Sequence, residues 1–400
     1  MRRPFANTVL LFAGVALLVT APDLQAQSAE DDPALTRLLR YPDIHQDRIA
    51  FVYAGDIWTV ASSGGQARQL TSHAGLELYP KFSADGRWIA FSGEYDGTRQ
   101  VYVIPSEGGT PRQLTFYNDV GPMPPRGGTD YRIYGWTPDG THVVFRANRL
   151  PWGPRMGRPY QVPVAGGLET PLAIPESGGA DLSPDGRQVV FTPKDREFRT
   201  WKRYRGGRAQ DVWVYDLEAN TARQITDTPA TDNQPVWVDG TVYFTSDREW
   251  KLNLYSVDPS GGDARRVTNH TDYDVLWPSG GPGGVVYENG GWIWRFDPES
   301  QETARVPIRV AGDLPFTQPV LKNVSDGIQT AAISPSGARA LFEARGDLFT
   351  VPAEHGQVRN ITRTEGVREM DPSWSPDGRW IAYLSDRTGE YEIYVRSQDG

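Results

Sequence analysis

The sequence of 400 residues contains no cysteine. This absence excludes disulfides, thiolate metal sites and lipid-modified cysteine, so an exported form of the chain has to be stabilised by packing alone. Histidine is also scarce, and no two of the five histidines have the spacing of a metal-binding pair. They are His45, His73, His142, His270 and His355. We therefore predict no metal site and no cofactor.

An excess of positive charge is missing too. The formal net charge is −9 at pH 7, whereas a nucleic-acid-binding protein needs a basic face for its phosphate contacts. We therefore predict that the chain does not bind nucleic acid. The sequence also lacks a G-x-S-x-G nucleophile elbow, an H-E-x-x-H zinc motif and a P-loop. We therefore expect no catalytic residue within this chain.

Long hydrophobic runs are confined to the N-terminus. Arg2 and Arg3 precede an apolar run over 9–20 that is shorter than a membrane span, and small residues surround Ala26. We predict a signal peptide over 1–26, no stable membrane span after its cleavage, and a periplasmic or secreted location in preference to a cytoplasmic one. The alternative is an uncleaved N-terminal anchor. The sequence does not distinguish a Sec signal from a Tat signal.

Turn-forming and aromatic residues are abundant, with 42 Gly, 32 Pro, 13 Trp, 18 Tyr and 14 Phe. This composition favours many short strands joined by tight turns, and so an all-β fold. One pattern, a turn followed by an alternating strand, occurs eight times. The clear copies are FSADGRWIAF, WTPDGTHVVF, LSPDGRQVVF, VWVDGTVYF, ISPSGARALF and WSPDGRWIAY, and weaker copies are IHQDRIAF and GPGGVVYENG.

The spacing of these copies predicts β-propeller blades. Successive turns are 39 residues apart (Asp47 to Gly86) at the closest and 54 apart (Gly86 to Gly140) at the widest, which brackets a four-stranded blade. In WTPDGTHVVF, LSPDGRQVVF and WSPDGRWIAY, Pro-Asp-Gly reverses the chain, since Asp bonds its own backbone and Gly adopts positive φ. A second alternating run follows, and a short strand of the type RQLT, RQIT, RRVT or RNIT closes the unit.

The repeats predict two domains. We expect a six-bladed β-propeller over 35–310, a proline-containing linker over 311–329, and the first two blades of a second, seven-bladed propeller over 330–400, all built from WD40/TolB-like repeats. The competing arrangement is a single eight-bladed ring. The last copy lacks its closing strand before Gly400, so we expect a fragment of a longer chain, truncated within the second propeller.

Two segments that interrupt the repeat are rich in arginine. The insertion KDREFRTWKRYRGGRAQD in the fourth unit contains Arg203 and Arg205, and the loop FYNDVGPMPPRGGTDYR between units two and three contains Arg126 and Arg132. A guanidinium matches a carboxylate in a bidentate manner, so we predict these four arginines as substrate-binding residues. The alternative is a solvated loop whose arginine stems cover apolar surface.

Three segments carry a resemblance to a known family. PDIHQDRIAFVYAGDIW, WKRYRGG and HTDYDVLWPS resemble the N-terminal propeller of the tricorn protease family, and the likeness runs from about residue 35 to 400. The resemblance implies a serine peptidase whose PDZ and catalytic domains follow the propellers, outside this chain. It also implies peptide substrates, with paired arginines in the loop between blades two and three anchoring their C-terminal carboxylate, where Arg126 is an approximate match. A homo-oligomer is compatible with this resemblance.

The favoured interpretation is a propeller that guides or gates peptides for an exported tricorn-like serine protease. A propeller suits this role because fixed strand ends bound its axial channel. One alternative is a TolB-type periplasmic protein-interaction propeller. Another is a prolyl-oligopeptidase-like enzyme with a hydrolase domain after the propeller.

Overall fold

The structure, a computed structural model, describes residues 32, 34–117, 131–149, 157–194, 204–206, 209–314 and 320–399. The predicted signal peptide lies outside these residues. Across the described ranges, no helix has the length and apolar character needed to cross a membrane. The chain divides into two compact units, Met1–Leu314 and Pro315–Gly400.

The described part of the first unit contains six four-stranded antiparallel sheets. Sheet 1 has β1 (Arg40–His45), β2 (Arg48–Tyr53), β3 (Asp56–Ala61) and β5 (Arg68–Gln69), and β4 (Gly65–Gln66) lies between β3 and β5 in the sequence. Sheet 2 has β6 (Glu77–Phe82), β7 (Trp88–Gly93), β8 (Gln100–Pro105) and β9 (Arg112–Gln113). Sheet 3 has β10 (Arg132–Trp136), β11 (His142–Ala147), β12 (Arg158–Pro163) and β13 (Thr170–Pro171).

The other three sheets of this unit have the same strand order. Sheet 4 has β14 (Ala180–Leu182), β15 (Gln188–Phe191), β16 (Trp213–Asp216) and β17 (Thr221–Gln224). Sheet 5 has β18 (Asp232–Val238), β19 (Thr241–Ser246), β20 (Asn253–Val257) and β21 (Arg265–Arg266). Sheet 6 has β22 (Leu276–Gly281), β23 (Gly284–Asn289), β24 (Trp292–Asp297) and β25 (Glu302–Arg305), and β26 (Ile308–Arg309) follows it.

The six sheets form a closed ring. The first strand of each sheet packs against the first strands of both neighbouring sheets, and β22 packs against β1. We call these first strands the inner strands. The chain after sheet 6 returns to the segment between β3 and β5, where β26 and β4 form a separate two-stranded parallel sheet with Ile308 opposite Gly65 and Arg309 opposite Gln66. The apolar core lies between adjacent sheets, with buried side chains such as Phe51, Trp58 and Ile293.

The repeated turn forms as its sequence predicts. In sheet 2, the hydroxyl of Ser83 donates to Asp85 Oδ1 over 2.6 Å, and the same oxygen accepts the backbone N–H of Arg87 at 3.1 Å. Gly86 has φ +67°, in the region where a side chain is strained. The same serine-to-aspartate bond forms at Ser183 and at Ser375 in their own turns. Local hydrogen bonds therefore fix the register of each hairpin.

In five sheets, the threonine that follows the closing strand also has a structural role. Thr71 Oγ1 accepts the backbone N–H of Ile57 at 2.8 Å, and this threonine is buried. The same bond recurs in four other sheets with lengths of 2.9 to 3.0 Å, from Val101 to Thr115, Val212 to Thr226, Leu254 to Thr268 and Leu348 to Thr362. The threonine thus satisfies a donor at the start of the third strand that would otherwise be buried without a partner.

The second unit contains two further sheets in its described part. Sheet 7 has β27 (Ile328–Ile333), β28 (Arg339–Ala344), β29 (Asp347–Pro352) and β30 (Arg359–Asn360), and a 3₁₀ turn over Ser325–Gly327 precedes it. Sheet 8 has β31 (Glu369–Trp374), β32 (Trp380–Ser385) and β33 (Glu392–Ser397). The buried residues of this unit include Leu341, Leu348 and Ile381.

The predicted all-β fold of propeller type is confirmed. The predicted domain bounds and the assignment of the second unit to a seven-bladed propeller remain predictions. The division of the chain after Leu314 falls inside the predicted linker over 311–329.

Candidate functional site

Four of the six inner strands share a bulge at which side chains approach the axis of the ring. The register of pairing shifts between Arg40 and Asp43 in β1, and at the matching place in β6, β18 and β22. At each bulge a residue with positive φ precedes a proline: Tyr41 (49°), Tyr79 (57°), Gln234 (51°) and Trp277 (51°). Proline is tolerated because an inner strand has a ladder partner on one side only. Such strained positions cluster at functional sites.

Three aromatic rings from these bulges fill the axis of the ring. Tyr41, Tyr79 and Trp277, from sheets 1, 2 and 6, have ring centroids 4.5 Å (Tyr41 to Tyr79), 4.9 Å (Tyr41 to Trp277) and 5.6 Å (Tyr79 to Trp277) apart. We call these three residues the aromatic plug. The cavity that remains among them has a volume of about 20 Å³, which is room for about one water molecule.

Arg132 completes the closure from the opposite side of the ring. It begins β10 of sheet 3 and is buried, and its guanidinium carbon lies 5.0 Å from the ring centroid of Trp277 and 5.9 Å from that of Tyr134. Sheets 3 and 6 are opposite each other in a ring of six. The contact between Arg132 and Trp277 therefore spans the axis.

A chamber lies beside the plug, toward the end of the ring formed by the repeated turns. Its volume is about 320 Å³, at the lower end of the range of roughly 300 to 1,000 Å³ for ligand pockets. All six inner strands contribute to its lining. The lining residues used below are Asp43, Lys81, Gly135, Trp136, Asp181 and Trp237.

One ion pair in the chamber wall is internally satisfied. Lys81 Nζ lies 3.3 Å from Asp43 Oδ1, and it also donates to the hydroxyl of Ser279, which in turn donates to Asp43. The second oxygen of Asp43 accepts the backbone N–H of Phe82 at 2.7 Å. This network ties together sheets 1, 2 and 6, and the lysine and aspartate charges compensate each other.

Asp181 carries the other carboxyl group of the chamber. Its two oxygens accept the backbone N–H groups of Leu182 at 2.9 Å and Trp237 at 2.8 Å. Burial raises the pKa of Asp181 to about 6, against the opposing effect of these bonds and of Lys81. Burial also lowers the pKa of His45 at the rim, which favours the neutral imidazole. At pH 7 and above, the chamber therefore carries one net negative charge.

A second group of ionisable residues lies between sheets 1 and 2, away from the chamber. Asp56 and Glu77 are buried side by side. Thr71 donates to Glu77 at 3.2 Å, and Gln69 donates to Asp56 at 2.9 Å. Burial, followed by the charge of Asp56, raises the pKa of Glu77 to about 8. The pair therefore retains a proton at neutral pH, as two adjacent buried carboxyl groups cannot both ionise at low cost.

The structure places the four predicted arginines in different surroundings. Arg126 and Arg203 lie outside the described residues. Arg132 lies in the axis against the aromatic plug. Arg205 lies between sheets 4 and 5, where its guanidinium bonds Asp247 Oδ1 at 2.8 Å and the Asp247 carbonyl at 3.0 Å. Arg132 and Arg205 thus lie against different residues, Trp277 and Asp247, and the substrate-binding role of the four arginines stays a prediction.

Sequence reasoning missed Arg149, which contacts the described residues on both sides of the segment 118–130. Its guanidinium carbon lies 4.1 Å from the ring centroid of Tyr117 and 4.9 Å from that of Tyr131, and Nη2 bonds Glu169 at 2.8 Å. Tyr117 and Tyr131 are the described residues on either side of the segment 118–130. Arg149 therefore fixes both ends of the predicted substrate-binding loop.

Sequence reasoning also missed the aromatic plug, although the sequence contains a signal for it. In four sheets of the first unit and in sheet 8, a proline occurs five or six residues before the second residue of the repeated turn: Pro42, Pro80, Pro235, Pro278 and Pro372. The residue before each proline is the one with positive φ. In the part of the chain that the structure describes, no group of three or more His, Cys, Asp or Glu side chains could hold a metal ion.

Comparison with known proteins adds three findings. A putative tricorn protease homolog 2 from Streptomyces coelicolor is 29% identical over 377 residues, covering 89% of this chain and 30% of its own length. The tricorn protease of Thermoplasma acidophilum is 28% identical, covering 90% of this chain and 34% of its own length. The crystal structure of the tricorn protease aligns with a TM-score of 0.59 at 21% identity, over 91% of this chain and 44% of that structure's chain.

The chain thus spans about a third of the length of these two curated relatives. Residues 36–302 match the family described as "Tricorn protease N-terminal beta propeller domain". Since this match covers more than half of the 400 residues, the chain belongs to the tricorn protease N-terminal β-propeller family.

Proposed function

We propose that this chain is the non-catalytic part of an exported tricorn-like serine protease, in which the ring of the first unit guides peptides and the aromatic plug gates the axis. In this proposal the catalytic and PDZ domains belong to the same longer protein, outside these 400 residues. The family membership and the share of the relatives' length that the chain covers support it.

The observation that carries the gating role is the contact across the axis. Arg132 and Trp277 come from opposite sheets and touch, and about 20 Å³ remains beside them. An extended peptide cannot pass this point unless the rings move. Trp277 also has a strained backbone with φ 51°, and strained positions of this kind cluster at switch regions and ligand-binding sites.

Export is supported by the predicted signal peptide over 1–26. A periplasmic or secreted protein without cysteine needs no oxidative folding step, which agrees with the composition. Peptides are the proposed substrates, and Arg126, Arg132, Arg203 and Arg205 are the proposed ligands of a peptide carboxylate.

Photo-crosslinking with the purified chain tests the gating role. A short peptide that contains p-benzoylphenylalanine is irradiated with the protein, and the labelled residues are mapped by mass spectrometry. We expect labels on the inner strands at the turn end of the axis. In Trp277→Leu, which removes one ring of the plug, labels should extend past the plug.

A matched control is Trp380→Leu, the same change at a half-exposed tryptophan of the second unit. It should leave the label pattern as in the wild type. Labels confined to the outer strands of the sheets, in both the wild type and Trp277→Leu, would contradict a guiding role for the axis.

A further inference from the structure

Among the residues that the structure describes, no basic side chain bonds the carboxyl group of Asp181 in the chamber. Lys81 is engaged by Asp43 and Ser279, whereas Asp181 accepts hydrogen bonds from two backbone N–H groups. Backbone donors satisfy the lone pairs of a carboxylate but do not neutralise its charge. The chamber is therefore suited to a ligand that brings one positive charge.

The walls define the rest of the ligand. Trp136 and Trp237 line the chamber with aromatic surface, and aromatic faces attract ammonium and guanidinium groups. An anion would meet the carboxylates of Asp43 and Asp181, with the single lysine already paired. The lining therefore favours an organic cation and opposes a carboxylate.

Open space adjoins Asp181. A side chain added at Gly135 would meet Asp181 Oδ1 at 3.9 Å and no other neighbouring atom within 4 Å. The carboxyl group thus faces room for a ligand. The whole chamber has a volume of about 320 Å³, within the range of ligand pockets, so it has room for the end of a peptide.

We propose that the chamber binds the free amino terminus of a short peptide, with Asp181 as the counter-ion of its ammonium group. This inference rests on the proposed function for the class of ligand. It adds a direction to the bound peptide, because the chamber would hold the peptide by its amino end.

Calorimetric titration of the purified chain with two matched peptides tests the proposal. Ala-Ala amide has a free ammonium group and no carboxylate, and N-acetyl-Ala-Ala amide lacks the ammonium charge. We expect the free-amine peptide to bind at least tenfold more tightly. Tryptophan fluorescence gives a second readout, because Trp136 and Trp237 line the chamber.

Two variants locate the site. Asp181→Asn should abolish the tenfold preference, since it removes the charge and keeps one acceptor oxygen. Because Asp181 also bonds the backbone of sheet 5, Gly135→Leu provides a second variant that fills the chamber without removing a hydrogen bond. It should abolish binding of both peptides, whereas Gly135→Ala, its matched control, should retain the preference.

The outcomes separate this inference from the proposed function. Equal affinity for the two peptides would overturn recognition of the amino group, and so would a preference that survives Gly135→Leu. The absence of measurable binding of either peptide at millimolar concentration would overturn the chamber site as well. The guiding role of the axis is judged independently, by the crosslinking map.

Discussion

The guanidinium of Arg132 lies over the indole ring of Trp277, with 5.0 Å between the guanidinium carbon and the ring centroid. The two residues come from sheets that are opposite each other in the ring of the first unit. A cation over an aromatic ring contributes about 0.5 to 2 kcal/mol, with the larger values at desolvated sites. This contact therefore stabilises the closed axis as well as the fold.

A double-mutant cycle measures that contribution. We expect Arg132→Met and Trp277→Leu to lower the free energy of unfolding each on its own, and to show a coupling of about 0.5 to 2 kcal/mol in the double variant. Urea unfolding followed by circular dichroism provides the values. Strict additivity of the two changes would contradict a direct interaction.

The buried threonines that follow the closing strands should each contribute to stability. We expect Thr71→Val and Thr226→Val each to lower the free energy of unfolding by about 1 to 3 kcal/mol, since valine keeps the shape but leaves a buried backbone N–H without its acceptor. Thr221→Val, at an exposed position of β17, is the control and should change stability by less than about 0.5 kcal/mol. Equal effects at Thr71 and Thr221 would refute the role of the hydroxyl.

The Asp56 and Glu77 pair predicts a dependence of stability on pH. Burial raises the pKa of Glu77 from 4.5 to about 8, so over this range the folded state holds a proton that the unfolded state has released. The free energy of unfolding should therefore fall as the pH rises from about 4.5 to 8. Glu77→Gln should remove most of this decline. Urea midpoints measured at several pH values check it.

A related position supplies the control for this prediction. Asp232 of sheet 5 and Glu369 of sheet 8 occupy the place of Glu77, and both have a guanidinium partner, Arg248 at 3.0 Å and Arg387 at 3.4 Å. In sheet 2 the matching residue is Tyr95, which cannot supply a positive charge. Asp232→Asn should therefore lower stability and leave the pH dependence in place. Loss of the pH dependence in Asp232→Asn would show that it does not arise from Asp56 and Glu77.

Substitutions at Arg205 and Asp247 should have opposite effects on the binding of a peptide carboxylate. If Arg205 receives the carboxylate, Arg205→Ala should weaken binding of free-acid peptides by about 1.5 to 3 kcal/mol and leave amidated peptides unchanged. Asp247→Asn releases the guanidinium from its ion pair and should strengthen binding of the free acid. Calorimetry with matched free-acid and amidated peptides gives both values. Equal losses for both peptides in Arg205→Ala would indicate a purely structural ion pair.

Much of the fold follows from short-range chemistry, and for that reason the sequence predicted it. The turn at Ser83 to Gly86 uses bonds within five residues, and its copies mark the sheets. The closing threonines were recognised as a repeat, although their bond to the third strand was not, because it joins residues 14 positions apart.

The candidate site was harder to predict because it depends on contacts between distant sheets. Arg132 was predicted as a ligand of substrate from its basic loop, but nothing in that loop indicates Trp277, which lies 145 positions further along the chain (277 − 132). Proline in a strand normally indicates an edge. The inner strands are edges of that kind, and only the closed ring turns them toward one axis.

The parallel pair of β4 and β26 also sets an order of events for the nascent chain. Gly65 leaves the ribosome 243 residues before Ile308, its partner (308 − 65). At a synthesis rate of about 5 to 20 residues per second, the first segment waits roughly 12 to 50 seconds for the second. During this interval the backbone of β4 lacks its strand partner and is open to pairing with other chains. A few residues after sheet 6 thus act as a latch, and a polypeptide released before them would carry all six sheets of the first unit without the strand that fastens the last to the first.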